Sequence, residues 1–302
     1  MRVERPHDRW FGPALGALVL VAGIGLGALL AGAGGALAGT AAGVAGGAWV
    51  ARTLARRAVR RRAVLASPFP ETWRRFLEES YDHYERLPEA LRRRFEDDLR
   101  IFLAEKRVTG IEVVVTDELR LLVAASAVTL SLGWPDYEWD QLTEVLLYPQ
   151  DFDRDYGYED SDHDADLAGQ AHPWGTVILS VPTLRASFED PDDAYHVGLH
   201  EFAHLLDMSQ TRFEGIPGGL DAERSREWVA LAEKEMERLR RGKSVLDPYG
   251  GDDPVEFLPV AVEAFFESAL ALRRRHRELY AMLSEYFGQD PAAWDDERGL
   301  VL

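Results

Sequence analysis

The chain of 302 residues contains no cysteine. That excludes a disulfide framework and any thiolate metal site. A metal would have to be held by His, Asp or Glu, and only eight histidines are available. Basic residues are scarce outside the N-terminus. Lys and Arg number 34 against 52 Asp and Glu, for a net charge of −18. Residues 1–62 carry nine Arg and two acids, a net of +7, which leaves residues 63–302 at −25. So acidic a body offers no basic face to displace counterions, which argues against nucleic-acid binding. The length suits one large domain or two small ones, and no internal repeat is visible.

Charge is absent altogether from residues 10–50, which are rich in Gly, Ala, Leu and Val. About 20 apolar residues cross a bilayer, so this run is long for one span and suits two. The Gly32-Ala33-Gly34-Gly35 cluster is a natural hinge. The pattern predicts an N-terminal transmembrane helical hairpin, with helices over about 12–31 and 36–52, inside a membrane anchor spanning 1–62. Small-xxx-small spacings such as Gly23 with Gly27 would permit close helix packing. Arg2, Arg5 and Arg9 precede the run, and Arg52, Arg56, Arg57, Arg60, Arg61 and Arg62 follow it. The positive-inside tendency places both flanks on the cytoplasmic side of an inner or plasma membrane. The domain that follows is then expected in the cytoplasm. A single tilted span is the alternative. A cleaved signal peptide fits less well, because its apolar region is only about 7–15 residues long.

Residues 63–302 read as one α+β domain. Ser67-Pro68-Phe69-Pro70 punctuates its start. Trp73, Phe76, Leu77, Tyr81 and Tyr84 recur at helical spacing, and Leu91, Phe95, Leu99, Phe102 and Leu103 mark a second helix. The β-branched stretch 111–115 predicts a strand, as do 145–148 and 176–181. Thr116 is placed to cap a helix over 117–131 with acids in its first turn. Beyond Asp192 the pattern is helical. Residues 151–166 hold eight acids and one Arg. Their spacing does not match an EF-hand loop, so they read as a solvated acidic loop with His163 exposed within it.

The chemistry concentrates in His200-Glu201-Phe202-Ala203-His204. On a helix, positions i and i+4 share a face, so the two imidazoles converge on one point. Glu201 neighbours that point and can take a proton from metal-activated water. This is the mechanical content of H-E-x-x-H, a zinc-peptidase pattern. The surrounding residues 195–208 predict a helix crowded with apolar side chains. Two histidines there need a partner, since unpaired buried polar groups are costly. The third ligand must come from elsewhere. Glu256 and Glu263 lie seven apart on roughly one face of a helix that Asp253 can cap and Pro254 can open. Either can reach a metal. Asp207, one turn after His204, reads either as a group that orients an imidazole or as an exposed helix acid.

Several short stretches, in order, carry a resemblance. They are Phe102-Leu103-Ala104-Glu105-Lys106-Arg107, Val145-Leu146-Leu147-Tyr148-Pro149 and Trp174-Gly175-Thr176-Val177-Ile178-Leu179-Ser180. His200-Glu201-Phe202-Ala203-His204-Leu205-Leu206-Asp207, Asp247-Pro248-Tyr249 and Asp253-Pro254-Val255-Glu256-Phe257 follow. Together they resemble the zinc metallopeptidases typified by Mlc titration factor A, whose catalytic core is related to anthrax lethal factor. The resemblance covers about two-thirds of the chain. It implies a zincin-like domain with a small sheet, a zinc cofactor and a peptide substrate. It implies Glu256 as third ligand beside His200 and His204, and Tyr249 as a group that stabilises the tetrahedral intermediate. It also implies an alternative function, sequestration of a transcriptional regulator, with peptidase activity secondary or absent. Three features depart from the pattern. They are the expected membrane segment, the acidic loop, and Pro259, which removes one helical hydrogen bond and keeps Glu263 as an alternative ligand.

Overall fold

A computed structural model describes residues 1, 8–153, 156–157, 167–191, 193–207 and 213–297. His163 and most of the acidic stretch lie outside them. The chain divides into two compact units, Met1–Pro68 and Phe69–Leu302.

The first unit is built on α1 (Asp8–Leu65). Gly32 within it adopts φ +60°, a left-handed conformation that glycine tolerates without a Cβ clash. Residues on either side of this point lie against each other. A Cβ at Gly23 would sit 2.6 Å from the Gly39 carbonyl oxygen, and one at Gly47 would sit 2.9 Å from that of Gly16. The expected membrane hairpin is nonetheless corrected. Among the described residues no helix is long and apolar enough to cross a membrane. The membrane localisation, and the cytoplasmic placement inferred from it, fall with the hairpin. The reason is compositional, because lack of charge is not apolarity. Residues 10–50 include twelve glycines and twelve alanines, which contribute little of the apolar surface that drives burial.

The second unit is a helix-rich α+β assembly around a four-stranded sheet. It opens with α2 (Glu71–Ser80), α3 (Asp82–Arg86) and α4 (Glu89–Glu105). Tyr81 is extended between α2 and α3, with its hydroxyl 2.7 Å from Thr129 Oγ1, so the first predicted helix breaks there. Next come β1 (Arg107–Gly110), α5 (Asp117–Ser131), β2 (Glu144–Tyr148), β3 (Gly169–Ala171) and β4 (Thr176–Ser180). The strand order is β1-β2-β4-β3. The first three strands in that order are parallel, and β3 pairs antiparallel to β4 at the edge. Val145 and Leu147 pair with Val177 and Leu179, and all four are fully buried. The strand expected at 111–115 instead lies at β1. Ile111 N still donates to Leu147 O at 2.8 Å, but Glu112 turns left-handed at φ 55° and ends the ladder.

Thr116 caps α5 as its side chain predicts, accepting from Leu119 N at 3.3 Å. Nearly every residue of α5 is buried, so it forms the floor on which later helices pack. The later helices are α6 (Val181–Glu189), α7 (Val197–Leu206), α8 (Ala222–Arg240), α9 (Pro254–Glu267), α10 (Ala269–Arg275), α11 (Arg277–Phe287) and α12 (Pro291–Glu297), of which α6 and α7 lie on α5. α7 packs against α5, α9 and the edge strand β3. α9 starts as expected, with Asp253 Oδ1 accepting from Val255 N at 2.9 Å and Pro254 in its first turn. It runs on through Pro259 to Glu267.

Candidate metal centre

α7 begins at Val197 because His196 caps it, its Nδ1 accepting from Leu199 N at 3.2 Å. His200 and His204 stand one turn apart, with ring centroids 5.1 Å from each other. Glu256, in the first turn of α9, faces both of them. Its Oε2 lies 3.1 Å from His200 Nε2 and 3.4 Å from His204 Nε2. One ligand atom from each of the three residues falls within 4.8 Å of the others.

Glu263 occupies the same face of α9 seven residues later. Its Oε2 lies 3.1 Å from the other ring nitrogen, His200 Nδ1. Its Oε1 accepts from His196 N at 2.8 Å. One carboxylate therefore ties the cap of α7 to the His200 ring. A metal bound at Nε2 would take the place of the proton there, while Nδ1 keeps its own, shared with Glu263. Pro259 does not decide between the glutamates, because α9 stays continuous. They meet opposite nitrogens of one imidazole.

Glu201 is buried beside this cluster. The edge strand passes close to it. A Cβ added to Gly169 would lie 2.7 Å from Glu201 Oε1 and 2.8 Å from Val197 Cγ2. Gly169, Tyr195, His200, Glu201, Tyr249 and Glu263 line a cleft of about 230 Å³, and no Lys or Arg among the described residues lines it. Tyr249 stands on a 3-10 turn, Pro248–Gly251, with its ring centroid 6.2 Å from that of His200. Asp247 holds the turn by accepting from Tyr249 N at 2.8 Å.

Among the described residues Asp207 makes no hydrogen bond to an imidazole, and it is not an exposed acid. It is 2% exposed and accepts from the backbone N–H groups of Glu214, Gly215 and Ile216. It thus ties the segment after α7 back to the helix end. Both sequence readings of this residue are corrected, because its true partners lie in a loop without a periodic signal. Two further contributors carried no readable signal either. Phe213 stacks on His204 at 5.1 Å, and Gly169 acts through having no side chain.

The electrostatics favour a cation. Burial works against charge on His200, but the Glu263 carboxylate and hydrogen bonds to Glu256 and Glu263 outweigh it. They hold the imidazole well above its ordinary value. Burial alone would raise Glu256, yet hydrogen bonds from His200 and His204 hold it down at about 2. Burial pushes Glu201 up, with the two imidazoles pulling the other way. Burial, then the charges of Glu256 and Glu201, push the Tyr249 phenol up to about 12. It therefore keeps its proton at neutral pH. Three carboxylates around two imidazoles, with no Lys or Arg among the described residues lining the cleft, fit a divalent cation as well as a proton. Two nitrogen donors and one oxygen donor suit a first-row metal in an open site.

Comparison with known proteins agrees with this geometry. The family model described as glucose-regulated metallopeptidase M90 matches residues 55–288. The chain is also 30% identical over 246 residues to an uncharacterized protein of Synechocystis sp., covering 77% of this chain and 89% of that protein. A metallopeptidase family implies a bound metal ion. The match spans α7, the turn bearing Tyr249 and all of α9, and on this evidence the chain belongs to the glucose-regulated metallopeptidase family M90.

Proposed function

We propose that this protein is a zinc-dependent peptidase in which His200, His204 and Glu256 hold the metal and Glu201 is the general base. The observation that carries the reading is the meeting of His200, His204 and Glu256 within 4.8 Å beside a buried Glu201. Zinc bound there would supply an acidified water and polarise the scissile carbonyl. Glu201 takes the proton from the attacking water and returns it to the leaving amine. The Tyr249 hydroxyl donates to the carbonyl oxygen as that atom gains charge. Glu263 keeps the Nδ1 proton of His200 in place, which presents Nε2 to the centre. Gly169 leaves room for the Glu201 carboxylate next to β3, the edge strand of the sheet, along which an extended peptide would pair.

Peptide turnover by the purified chain, with chelator and after zinc is restored, tests this reading. Activity should vanish and return. Glu201→Gln should keep its zinc while turnover falls by a factor on the order of 10² or more. The other reading, sequestration of a transcriptional regulator, needs no base at Glu201. It gains ground if Glu201→Gln retains most of the wild-type turnover, or if neither protein shows any.

A further inference from the structure

We propose that His276, Glu235 and Ser244 form a clamp that positions Tyr249 at the cleft. The inference rests on the role given to Tyr249 above. His276 lies between α10 and α11 and is 1% exposed. Its Nδ1 is 2.6 Å from Glu235 Oε2 on α8. Its Nε2 is 3.2 Å from Ser244 Oγ and 3.3 Å from Val245 N. A backbone N–H can only donate, so Nε2 accepts, and Nδ1 carries the proton that goes to Glu235. Arg238 holds the Glu235 carboxylate from α8 at 3.0 and 3.1 Å and reaches Arg275 O at 3.1 Å. Side chains on α8 and at the α10–α11 junction thus converge on residues 244–245.

The order Ser–His–Glu resembles a nucleophile with its base and orienting carboxylate. The hydrogen bonds point elsewhere. Nε2 already receives the Val245 N–H, and Ser244 Oγ accepts from Leu246 N at 3.1 Å. The hydroxyl is therefore a strut in a turn. Leu246 is buried immediately after it, and the chain then enters Asp247 and the turn that carries Tyr249. The far end of that turn is fixed separately. Arg240 Nε donates to Gly251 O at 3.1 Å, and a Cβ at Gly250 would come within 3.0 Å of Val260. Tyr249 is itself 50% exposed, so its placement is set mainly by the backbone beneath it. A buried carboxylate costs desolvation and is a weak source of stability, whereas holding one loop geometry is a use it can serve.

The test is a double-mutant cycle on peptide turnover with zinc-loaded full-length protein. Ser244→Ala should lower kcat about tenfold, the low end of what losing a supporting residue costs. KM should stay within about twofold and zinc content should not change. In a Tyr249→Phe background the same substitution should have almost no further effect, because residues acting as a unit are not additive. Glu235→Gln, which keeps an acceptor for Nδ1–H, should recover most of the activity that Glu235→Ala loses. Independent, multiplying losses for Ser244→Ala and Tyr249→Phe would overturn the clamp while leaving the role of Tyr249 intact. Wild-type turnover in Tyr249→Phe alone would overturn the role of Tyr249, and the clamp with it.

Discussion

At the scale of single residues, the His200 imidazole is the centre of the arrangement. It is held between two carboxylates of one helix, with Glu256 at Nε2 and Glu263 at Nδ1. In the proposed centre the two nitrogens have different tasks, so the two glutamates should respond differently to removal. Glu256→Ala should reduce zinc affinity severely. Glu263→Ala should cost about 10–100-fold, the usual scale for a group that orients a ligand. Titration against a competing chelator measures both, and the reverse order would exchange their roles. That His200, Glu201 and His204 share one helix was legible in the sequence because spacing along a helix is a local property. Which nitrogen of His200 each of Glu256 and Glu263 meets was not. It depends on how α9 docks against α7, and both residues share the face that docks. Asp207 was misread for a similar reason, since its amide partners at 214–216 leave no periodic trace.

At the scale of elements, two contacts outside α9 shape the site. Gly169 lets β3 pass beside Glu201. A methyl group there would lie 2.6 Å from Glu201 Cγ, so either the strand or the carboxylate must move. Displacement of about 1 Å costs on the order of 10²-fold in rate. Gly169→Ala should therefore lose activity on that scale with little change in melting temperature. An equal fall in both would show that β3 is mainly structural. Asp207 ties the segment after α7 by three backbone amides. Asp207→Ala leaves those donors without their acceptor and should destabilise the fold by about 3 kcal/mol. Denaturant midpoints would report this, and a loss under about 0.5 kcal/mol, the usual surface range, would deny the anchor. α4, α5, β2, β4 and α9 were readable from periodicity and caps. β3 was not, because Gly169-Gln170-Ala171 has no strand signature of its own and exists through pairing with β4.

At the scale of the whole molecule, family membership and site geometry point the same way. The M90 match covers residues 55–288 and contains every residue of the centre. The first unit shows the limit of reading charge alone. Its uncharged run was legible, but its glycine and alanine content separates it from a membrane span, and among the described residues no helix meets that demand. The second unit carries the acidic excess, and three of its carboxylates, those of Glu201, Glu256 and Glu263, surround the two histidines. That concentration makes metal binding the claim on which the rest depends. The most direct measurement is X-ray absorption at the zinc edge of the loaded protein, wild type and His204→Ala. The account predicts about four light donors near 2.0–2.1 Å with a signal from two imidazoles, and one imidazole fewer or no bound zinc in the variant. An oxygen-only shell, or identical spectra from equally loaded proteins, would contradict it.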